Sequence, residues 1–223
     1  MLVGLHGVAV KPDEPFLDGS WVGAYPGEAR LLVEHIRTAV AIAANDEASI
    51  LSLSGAATAE GIAWSEAETC IAVASHFGWW GTSVGARAFP EVHARDSLGN
   101  VAFSFALFFE QTGFWPQQVT AVGWQFKEER YYKHAAALGL QDFTYIGIND
   151  PPADLRPAAI AGEQRKLLDL QADPYLRSER YRQQRRGRNP HRTPLPSFSN
   201  SAMNAFIRFL YGDDLVEMPP SWK

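Results

Sequence analysis

Polar side chains capable of acid–base chemistry and hydrogen bonding are concentrated in the stretch EVHARDSLGNVAFS, which begins at Glu91. Glu91 and Asp96 supply carboxylates and Arg95 supplies a guanidinium, and such groups bind anions, orient hydroxyls or transfer protons. A structural explanation competes for part of the stretch, because Asp96 or Ser97 can cap a following helix, with Asn100 placed to assist. Capping leaves Glu91 and Arg95 without a role in folding, so we expect the stretch to form one wall of a ligand site.

A second concentration of chemistry lies in the segment FKEERYYKH, which follows a strand-like sequence. On a helix, the spacing i, i+3, i+4 and i+7 puts four side chains on one face: Lys127, Arg130, Tyr131 and His134. A lysine at the amino end of a helix opposes the helix dipole unless an anion compensates it. His134 is the candidate acid or base, because imidazole titrates near neutral pH. The alternative is a solvated basic face on a surface helix.

The segment SLSGAATAEGIAWSEAE contains the small and hydroxyl-bearing residues of an anion-binding loop. Ser54, Gly55 and Thr58 can present hydroxyls and backbone N–H groups to an anion at the amino end of the next helix. Ser65 is predicted to cap that helix, with Glu68 three residues on as its capping-box partner. Glu66 lies in the first turn, where acids also stabilise the helix dipole. The segment matches neither standard glycine-rich phosphate motif. All of these residues except Glu68 are ligand-binding candidates, with an ordinary turn as the alternative.

His6 lies within or directly after the first predicted strand, LVGLHGVAV, and is a further ligand-binding candidate. A single histidine among apolar residues is more often a core or loop residue than a functional one. The six histidines form no HxH or HxxxH pair, and Cys70 is the only cysteine, so we expect no metal site.

The elements that must position these residues alternate between apolar strands and amphipathic helices. This alternation predicts parallel strand pairing with crossover helices on both faces of the sheet. We therefore predict an α/β fold, a Rossmann-like three-layer α/β/α sandwich with a mainly parallel sheet. In such folds ligands bind outside the carboxyl ends of the strands, where the four candidate segments fall. The predicted strands are 2–10, 48–55, 83–90, 117–124 and 142–149, and the predicted helices are 27–46, 65–81, 97–112, 127–140, 158–171 and 199–211.

The character of the chain changes after Pro151, where PPADLRP interrupts the alternation. We predict that residues 1–150 form the Rossmann-like domain and that residues 151–223 form a helical, Arg-rich extension packed on it. Seven arginines lie in the segment DPYLRSERYRQQRRGRNPHRTPLP, against only two acids. We expect residues 173–197, which contain this segment, to fold over the crevice as a lid that brings Arg188 to the ligand.

Composition limits the function classes. The 223 residues are 46% apolar and carry a net charge of −5, which suits one packed domain and disfavours a dedicated nucleic-acid binder. No apolar run approaches the ~20 residues that cross a bilayer, and no signal peptide is recognisable before the first strand. We expect a cytoplasmic protein without a membrane partner, and the sequence leaves a homodimer open.

Together these segments resemble the YdcF-like family, domain of unknown function 218, and in particular its eukaryotic, largely fungal branch. The resemblance rests on a serine–glycine loop with a following threonine, an SEA helix start, an E…ARDS…N segment, a basic His-containing helix and a DPY…RNP tail. It covers nearly the whole chain. The matching residues are Ser54–Ala56, Thr58, Ser65–Ala67, Glu91, Ala94–Ser97, Asn100, Phe126, Lys127, Arg130, His134, Asp173–Tyr175 and Arg188–Pro190.

Two positions depart from the family pattern. Ala56 replaces the second glycine of the loop, and Gly99 replaces the acid that usually precedes Asn100. The added methyl narrows the loop, and the missing carboxylate means that any acid–base role of that acid does not transfer to this chain. The resemblance implies a Rossmann-like fold with a site at the switch-point crevice. A bacterial relative is associated with S-adenosylmethionine, which makes this methyl donor a candidate cofactor.

The leading hypothesis is a small-molecule enzyme or ligand-binding protein whose ligand carries a phosphate, a carboxylate or a nucleoside. One alternative is a methyltransferase-like S-adenosylmethionine binder, although the usual GxGxG loop is missing. The other is an interaction protein that binds an acidic partner or RNA through its Arg-rich segment. The catalytic candidates are His134, Asp96 and Glu91. The ligand-binding candidates are His6, Ser54, Gly55, Thr58, Ser65, Glu66, Arg95, Ser97, Asn100, Lys127, Arg130 and Arg188.

Overall fold

The computed structural model describes residues 1–4 and 6–212. In chain order the strands are β1 (Leu2–Gly4), β2 (Val8–Ala9), β3 (Trp21–Val22), β4 (Leu51–Ser54), β5 (Ala88–Glu91), β6 (Val119–Trp124) and β7 (Phe143–Asn149). The helices are α1 (Ala29–Ala44), α2 (Glu66–His76), α3 (Ser97–Thr112), α4 (Glu128–Ala137), α5 (Arg156–Ala172), α6 (Glu179–Gly187) and α7 (Ser201–Tyr211).

Five strands form a parallel sheet in the order β5-β4-β1-β6-β7. This confirms the predicted Rossmann-like α/β fold. The chain runs outward from β1 to β4 and β5, and then returns to β6 on the other side of β1. The strand order therefore reverses between β1 and β6, and the crevice at such a switch point is where open α/β sheets bind ligands.

Two apolar cores lie on opposite faces of the sheet and define the three layers. On one face α1 and α2 pack against strand residues that include Val3, Leu53 and Val122. On the other face α3 and α4 pack against Leu2 and Ala121. Successive residues of β1 thus point to opposite faces, as the two-residue period of a strand requires.

The first predicted strand is shorter than expected. Residues 2–10 were predicted as one strand, but β1 ends at Gly4, and Val8–Ala9 pairs with β3 in a separate antiparallel ribbon. Gly7 between them has a φ of +92°, a conformation that strand residues do not adopt and that glycine tolerates. The turn at Gly7 separates Val8–Ala9 from the parallel sheet, and His6 lies just beyond the carboxyl end of β1, the central strand.

The C-terminal extension packs on the α3 face of the sheet. Leu170 of α5, Tyr181 of α6 and Phe206 of α7 belong to the same apolar core as α3. Helix α6 was not predicted, because its nine residues ERYRQQRRG contain no apolar stripe. Residues 213–223 of the predicted extension lie outside the described residues. None of the helices described is both long and apolar enough to span a membrane.

Candidate functional site

A cavity of about 700 Å³ opens at the switch point between β1 and β6. This volume lies within the usual range of small-molecule sites. The predicted site residues that line it are His6, Thr58, Glu66, Arg95, Asp96, Ser97, Asn100, Lys127, Arg130 and Arg188. The predicted residues that do not line it are Ser54, Gly55, Ser65, Glu91 and His134.

Five cationic side chains line this cavity, and three of them come from separate elements of the C-terminal half. Lys127 lies directly before α4, Lys166 lies on α5, and Arg188 follows α6. Among the described residues, no carboxylate lies within 4 Å of Lys127 Nζ, which instead lies 5.6 Å from the centre of the Phe126 ring. Burial lowers the pKa of Lys127 to about 7, and Arg130 acts in the same direction. Burial, again with Arg130, lowers the pKa of Lys166 to about 8.

Arg130 also lines the cavity, but its charge is compensated. Its Nη2 lies 3.1 Å from Glu163 Oε2, and both side chains are largely buried. The pair joins α4 to α5, and Lys127 is the cation at the amino end of α4 that has no carboxylate of the described residues within 4 Å. Sequence inspection did not identify Glu163, because the approach of α5 to α4 depends on tertiary packing.

Glu66 is a buried carboxyl group on the opposite wall of the cavity. Its side chain is held by Thr58, whose Oγ1 donates to Oε1 at 2.6 Å. Burial raises the pKa of Glu66 to about 7, although Thr58 and the cations Arg188 and Lys127 oppose the rise. Gly55 makes room for this side chain, since a Cβ there would lie 2.6 Å from Glu66 Oε2. Gly55 therefore supports Glu66 and does not itself line the cavity.

Ser65 has a structural position at the start of α2. Its Oγ accepts the backbone N–H of Glu68 at 3.0 Å, and the Glu68 carboxylate accepts the backbone N–H of Ser65 at 2.9 Å. This reciprocal arrangement confirms the predicted capping box. Capping fixes the first turn of α2, and that turn presents Glu66 to the cavity.

His6 and Glu28 form a hydrogen-bonded pair at the end of β1. His6 Nε2 lies 2.8 Å from Glu28 Oε2, which also accepts the backbone N–H of Tyr25 at 2.9 Å. Burial lowers the pKa of His6, although the bond to Glu28 opposes this; because a carboxylate oxygen can only accept, Nε2–H is the donor of this bond. Burial alone would raise the pKa of Glu28, but the bonds from His6 and Tyr25 hold it below its usual value. Glu28, directly before α1, was not identified from the sequence.

Both carboxylate oxygens of Asp96 make hydrogen bonds or ion pairs that hold the fold together. Its Oδ1 accepts the backbone N–H of Gly99 at 2.8 Å, which confirms the predicted capping of α3, and it also accepts the Tyr211 hydroxyl at 2.9 Å. Its Oδ2 lies 2.5 Å from Arg185 Nε in a buried ion pair. Burial alone would raise the pKa of Asp96, but Arg185 and Gly99 hold it well below its usual range. Asp96 thus joins the sheet domain to α6.

Glu91 has the folding role that sequence inspection did not reveal. Its Oε1 accepts the backbone N–H groups of His93 at 2.6 Å and Ala94 at 3.1 Å, and Ser54 Oγ donates to its Oε2. Burial raises the pKa of Glu91 to about 7. These bonds tie the end of β4 to the loop that follows β5. Glu91 and Ser54 lie behind the cavity wall.

Arg95 connects the cavity wall to the Arg-rich segment. Its Nη2 donates to the Thr193 carbonyl at 2.9 Å, and its own carbonyl accepts Arg188 Nη1 at 2.7 Å. On the other side, His191 Nε2 lies 3.0 Å from the carbonyl oxygen of Ala59. The segment therefore contacts both the loop after β4 and the loop before α3.

Asn100 lies on the floor of the cavity and does not act as a capping partner. Its Oδ1 lies 3.2 Å from Ser54 Oγ, and its Nδ2 donates to the Tyr131 hydroxyl at 3.4 Å. Gly4 permits this approach, because a Cβ on Gly4 would lie 2.3 Å from both Asn100 Nδ2 and the Tyr131 hydroxyl. The glycine at the end of β1 thus leaves room for the Asn100 and Tyr131 side chains to meet beside the switch point.

His134 is completely buried behind the cavity wall. Its Nε2 lies 2.9 Å from Ser97 Oγ. Ser97 lines the cavity, whereas His134 does not. Burial lowers the pKa of His134 to about 3, and Arg130 acts in the same direction. The imidazole is therefore neutral at physiological pH, and it has no direct contact with the cavity.

The buried histidines predict acid sensitivity. His35 and His134 are both 0% exposed, and burial lowers each pKa to about 3. Because the unfolded chain takes up these protons below about pH 6.5 and the folded chain does not, each histidine lowers stability by about 1.4 kcal/mol per pH unit there. The buried carboxyls Glu66 and Glu91, whose pKa values are raised to about 7, act in the opposite direction, so the histidine effect is measured as a difference. Urea unfolding of wild type and His35→Leu between pH 7.5 and 5 should show the stability difference between them shifting by about 1.4 kcal/mol per pH unit in favour of the variant below pH 6.5. A difference that does not change with pH would contradict the buried, neutral state of His35.

The described residues, 1–4 and 6–212, contain no group of three His, Cys, Asp or Glu side chains that could hold a metal ion.

Comparison with known proteins provides one relative and no family. No family model matches the chain, and no solved structure matches it. The uncharacterized protein YOR238W of Saccharomyces cerevisiae is 28% identical over 122 residues. The match covers 49% of this chain and 40% of the yeast protein, so the chain spans less than half the length of this relative. The resemblance to the YdcF-like family stays a prediction.

Proposed function

We propose that this protein is a small-molecule enzyme or ligand-binding protein whose switch-point cavity binds an anionic ligand. The observation that carries the proposal is the convergence of Lys127, Lys166 and Arg188 on this cavity from three separate elements. Within the part of the chain that the structure describes, no carboxylate lies within 4 Å of Lys127, and burial lowers the pKa of both lysines.

An anionic ligand explains why these cations are kept there. Removing an ammonium group from water is unfavourable unless a negative charge compensates it. Arg130 has such compensation from Glu163 at 3.1 Å, whereas Lys127 has only the more distant effect of Glu163 and Glu28 and no carboxylate of the described residues within 4 Å. Groups whose pKa is displaced by burial and charged neighbours inside a cleft are typical of functional sites. A phosphate or carboxylate at Lys127 would supply the missing charge.

If the protein is an enzyme, Glu66 is the candidate proton donor or acceptor. A general acid or base acts best when its pKa lies near the working pH, and it must reach the ligand. Glu66 lines the cavity and has a pKa raised to about 7, while His134 lies behind the wall with a pKa of about 3. The resemblance to the YdcF-like family supports the same location, and S-adenosylmethionine is its candidate cofactor.

The Arg-rich segment is proposed as a cover for the cavity, and the bonds of its side chains favour this over a free partner-binding arm. Arg185 pairs with Asp96, and Arg188 donates to the carbonyl of Arg95. Arg182 and Arg186 pair with Glu179 inside the segment. An acidic partner or RNA would have to compete with these bonds.

A thermal-shift panel tests the proposed function. The compounds are sulfate, inorganic phosphate, ribose 5-phosphate, S-adenosylmethionine and neutral adenosine, each at millimolar concentration. We expect the phosphates to raise the melting temperature, because any ligand that binds only the folded state stabilises it. Stabilisation by S-adenosylmethionine alone would favour the methyl-donor alternative. No shift with any anion would contradict the proposal.

Binding of an anion is expected to weaken as the pH rises. Lys127 loses its positive charge and Glu66 gains a negative charge as the pH passes about 7. Each change should lower the affinity roughly tenfold between pH 6 and 8. Sulfate is the probe, since its own charge is constant in this range, and isothermal titration calorimetry measures its affinity. Glu66→Gln should remove the Glu66 part of the dependence and leave the part due to Lys127 and Lys166, while Glu129→Gln on the exposed face of α4 should leave the dependence unchanged. Identical slopes in the wild type and Glu66→Gln would place Glu66 away from the anion.

A further inference from the structure

The cavity changes character along α5. Leu155, Ala158 and Ala159 line it near the amino end of this helix, and Lys166 lines it further along. The spacing i, i+3, i+4 and i+11 puts all four on one helical face. At about 1.5 Å per residue, Leu155 and Lys166 lie roughly 16 Å apart along the axis. One end of the cavity is therefore apolar and the other is cationic.

The apolar end has an aromatic side chain on its opposite wall. Val22 and Tyr25 line the cavity in and after β3. A Cβ on Gly27 would lie 3.4 Å from Pro152 Cγ, so this loop faces the start of α5. Tyr25 is 59% exposed, which leaves most of its side chain accessible to a ligand at the cavity mouth.

The aromatic end and the cationic end are within reach of one small molecule. The Phe126 ring lines the cavity, and its centre lies 5.6 Å from Lys127 Nζ. Glu28 accepts the backbone N–H of Tyr25 at 2.9 Å and also acts electrostatically on Lys127. The Phe126 ring and the Lys127 ammonium are thus neighbours in the same cavity.

We propose that the ligand joins an anionic group to a flat aromatic ring, with the chemistry of a nucleoside 5′-phosphate. The anion binds at Lys127, Lys166 and Arg188, and the ring stacks on Tyr25 between loop 23–28 and the start of α5. Planar rings stack on aromatic side chains whatever their substituents, so Tyr25 selects for a ring and not for one base. This inference rests on the proposed anion site and names the ligand class that this site takes.

Two ligands that differ only in the ring test the inference. Isothermal titration calorimetry on the full chain at pH 6.5 compares ribose 5-phosphate with adenosine 5′-monophosphate. We expect the nucleotide to bind about tenfold more tightly, as stacking of one base on one aromatic ring typically provides. Tyr25→Ala should weaken nucleotide binding about five- to tenfold and leave ribose 5-phosphate unchanged. Tyr25→Phe should retain wild-type affinity, because it keeps the ring.

Phe114→Ala is the matched control, since Phe114 is 76% exposed and does not line the cavity. Equal affinities for the two ligands would overturn the inference while leaving the anion site intact. An equal loss of both ligands in Tyr25→Ala would also overturn it, by showing that Tyr25 acts on the fold of the site. If neither phosphate binds, the anion site and this inference fail together.

Discussion

Asp96→Asn is expected to destabilise the protein by about 3 kcal/mol or more, because it leaves a buried guanidinium without its partner. The Asp96 and Arg185 side chains are 7% and 4% exposed, and the nitrogen–oxygen distance is 2.5 Å. Asparagine can still accept the Gly99 N–H as the cap of α3, so the measured loss reports the ion pair. Urea unfolding at pH 7 measures the difference.

The pH dependence of this variant provides an independent check. Pairing with Arg185 holds the pKa of Asp96 well below its unfolded value of 3.8, so its contribution is complete above that pH and is lost in stronger acid. Asp150→Asn is the control, because the Asp150–Arg156 pair is largely exposed at 3.7 Å and should change stability by under about 1 kcal/mol. If Asp96→Asn retained full stability but lost ligand turnover, Asp96 would be catalytic, as the sequence suggested.

Lys127→Met is expected to weaken anion binding roughly ten- to hundredfold, the equivalent of one charge-assisted hydrogen bond. Methionine keeps the length and apolar stem of the side chain and removes only the ammonium. Because burial lowers the pKa of Lys127, its charge opposes folding. The melting temperature of the variant without ligand should therefore equal or exceed that of the wild type.

Lys133→Met on the same helix is the matched control. Lys133 pairs with Glu129 at 3.5 Å and does not line the cavity, so its loss should leave anion affinity within about twofold. The combination of lost affinity and retained stability is typical of a residue kept for function. If Lys127→Met unfolded the protein, the lysine would be part of the fold.

The helices whose ends carry local signals were predicted closely. Helix α3 was predicted as residues 97–112 and is observed over the same residues, because Asp96 caps its start and Gly113, at a φ of 75°, ends it. The capping box at Ser65 likewise marked the start of α2. By contrast, α6 carries no apolar stripe, and its position depends on the buried Asp96–Arg185 pair. A contact between residues 89 positions apart leaves no local pattern.

The location of the cavity was predictable to a greater extent than the direction in which individual polar side chains point. The sheet order places Lys127 and Glu66 at one cavity, as expected for residues beyond the carboxyl ends of parallel strands. Whether a polar side chain points into the cavity or behind it depends on packing, and His134 and Glu91 lie behind it. Lys166 was missed because nothing in the sequence of α5 shows which face meets the sheet domain.

The most direct test of the anion site is mass spectrometry of the small molecules released from the purified protein. Wild type, Lys127→Met and Lys133→Met would be isolated from the same host at low ionic strength, denatured, and compared. We expect an anionic compound to be enriched in the wild type and Lys133→Met and depleted in Lys127→Met. The same set of released compounds from wild type and Lys127→Met would contradict an anion site at Lys127.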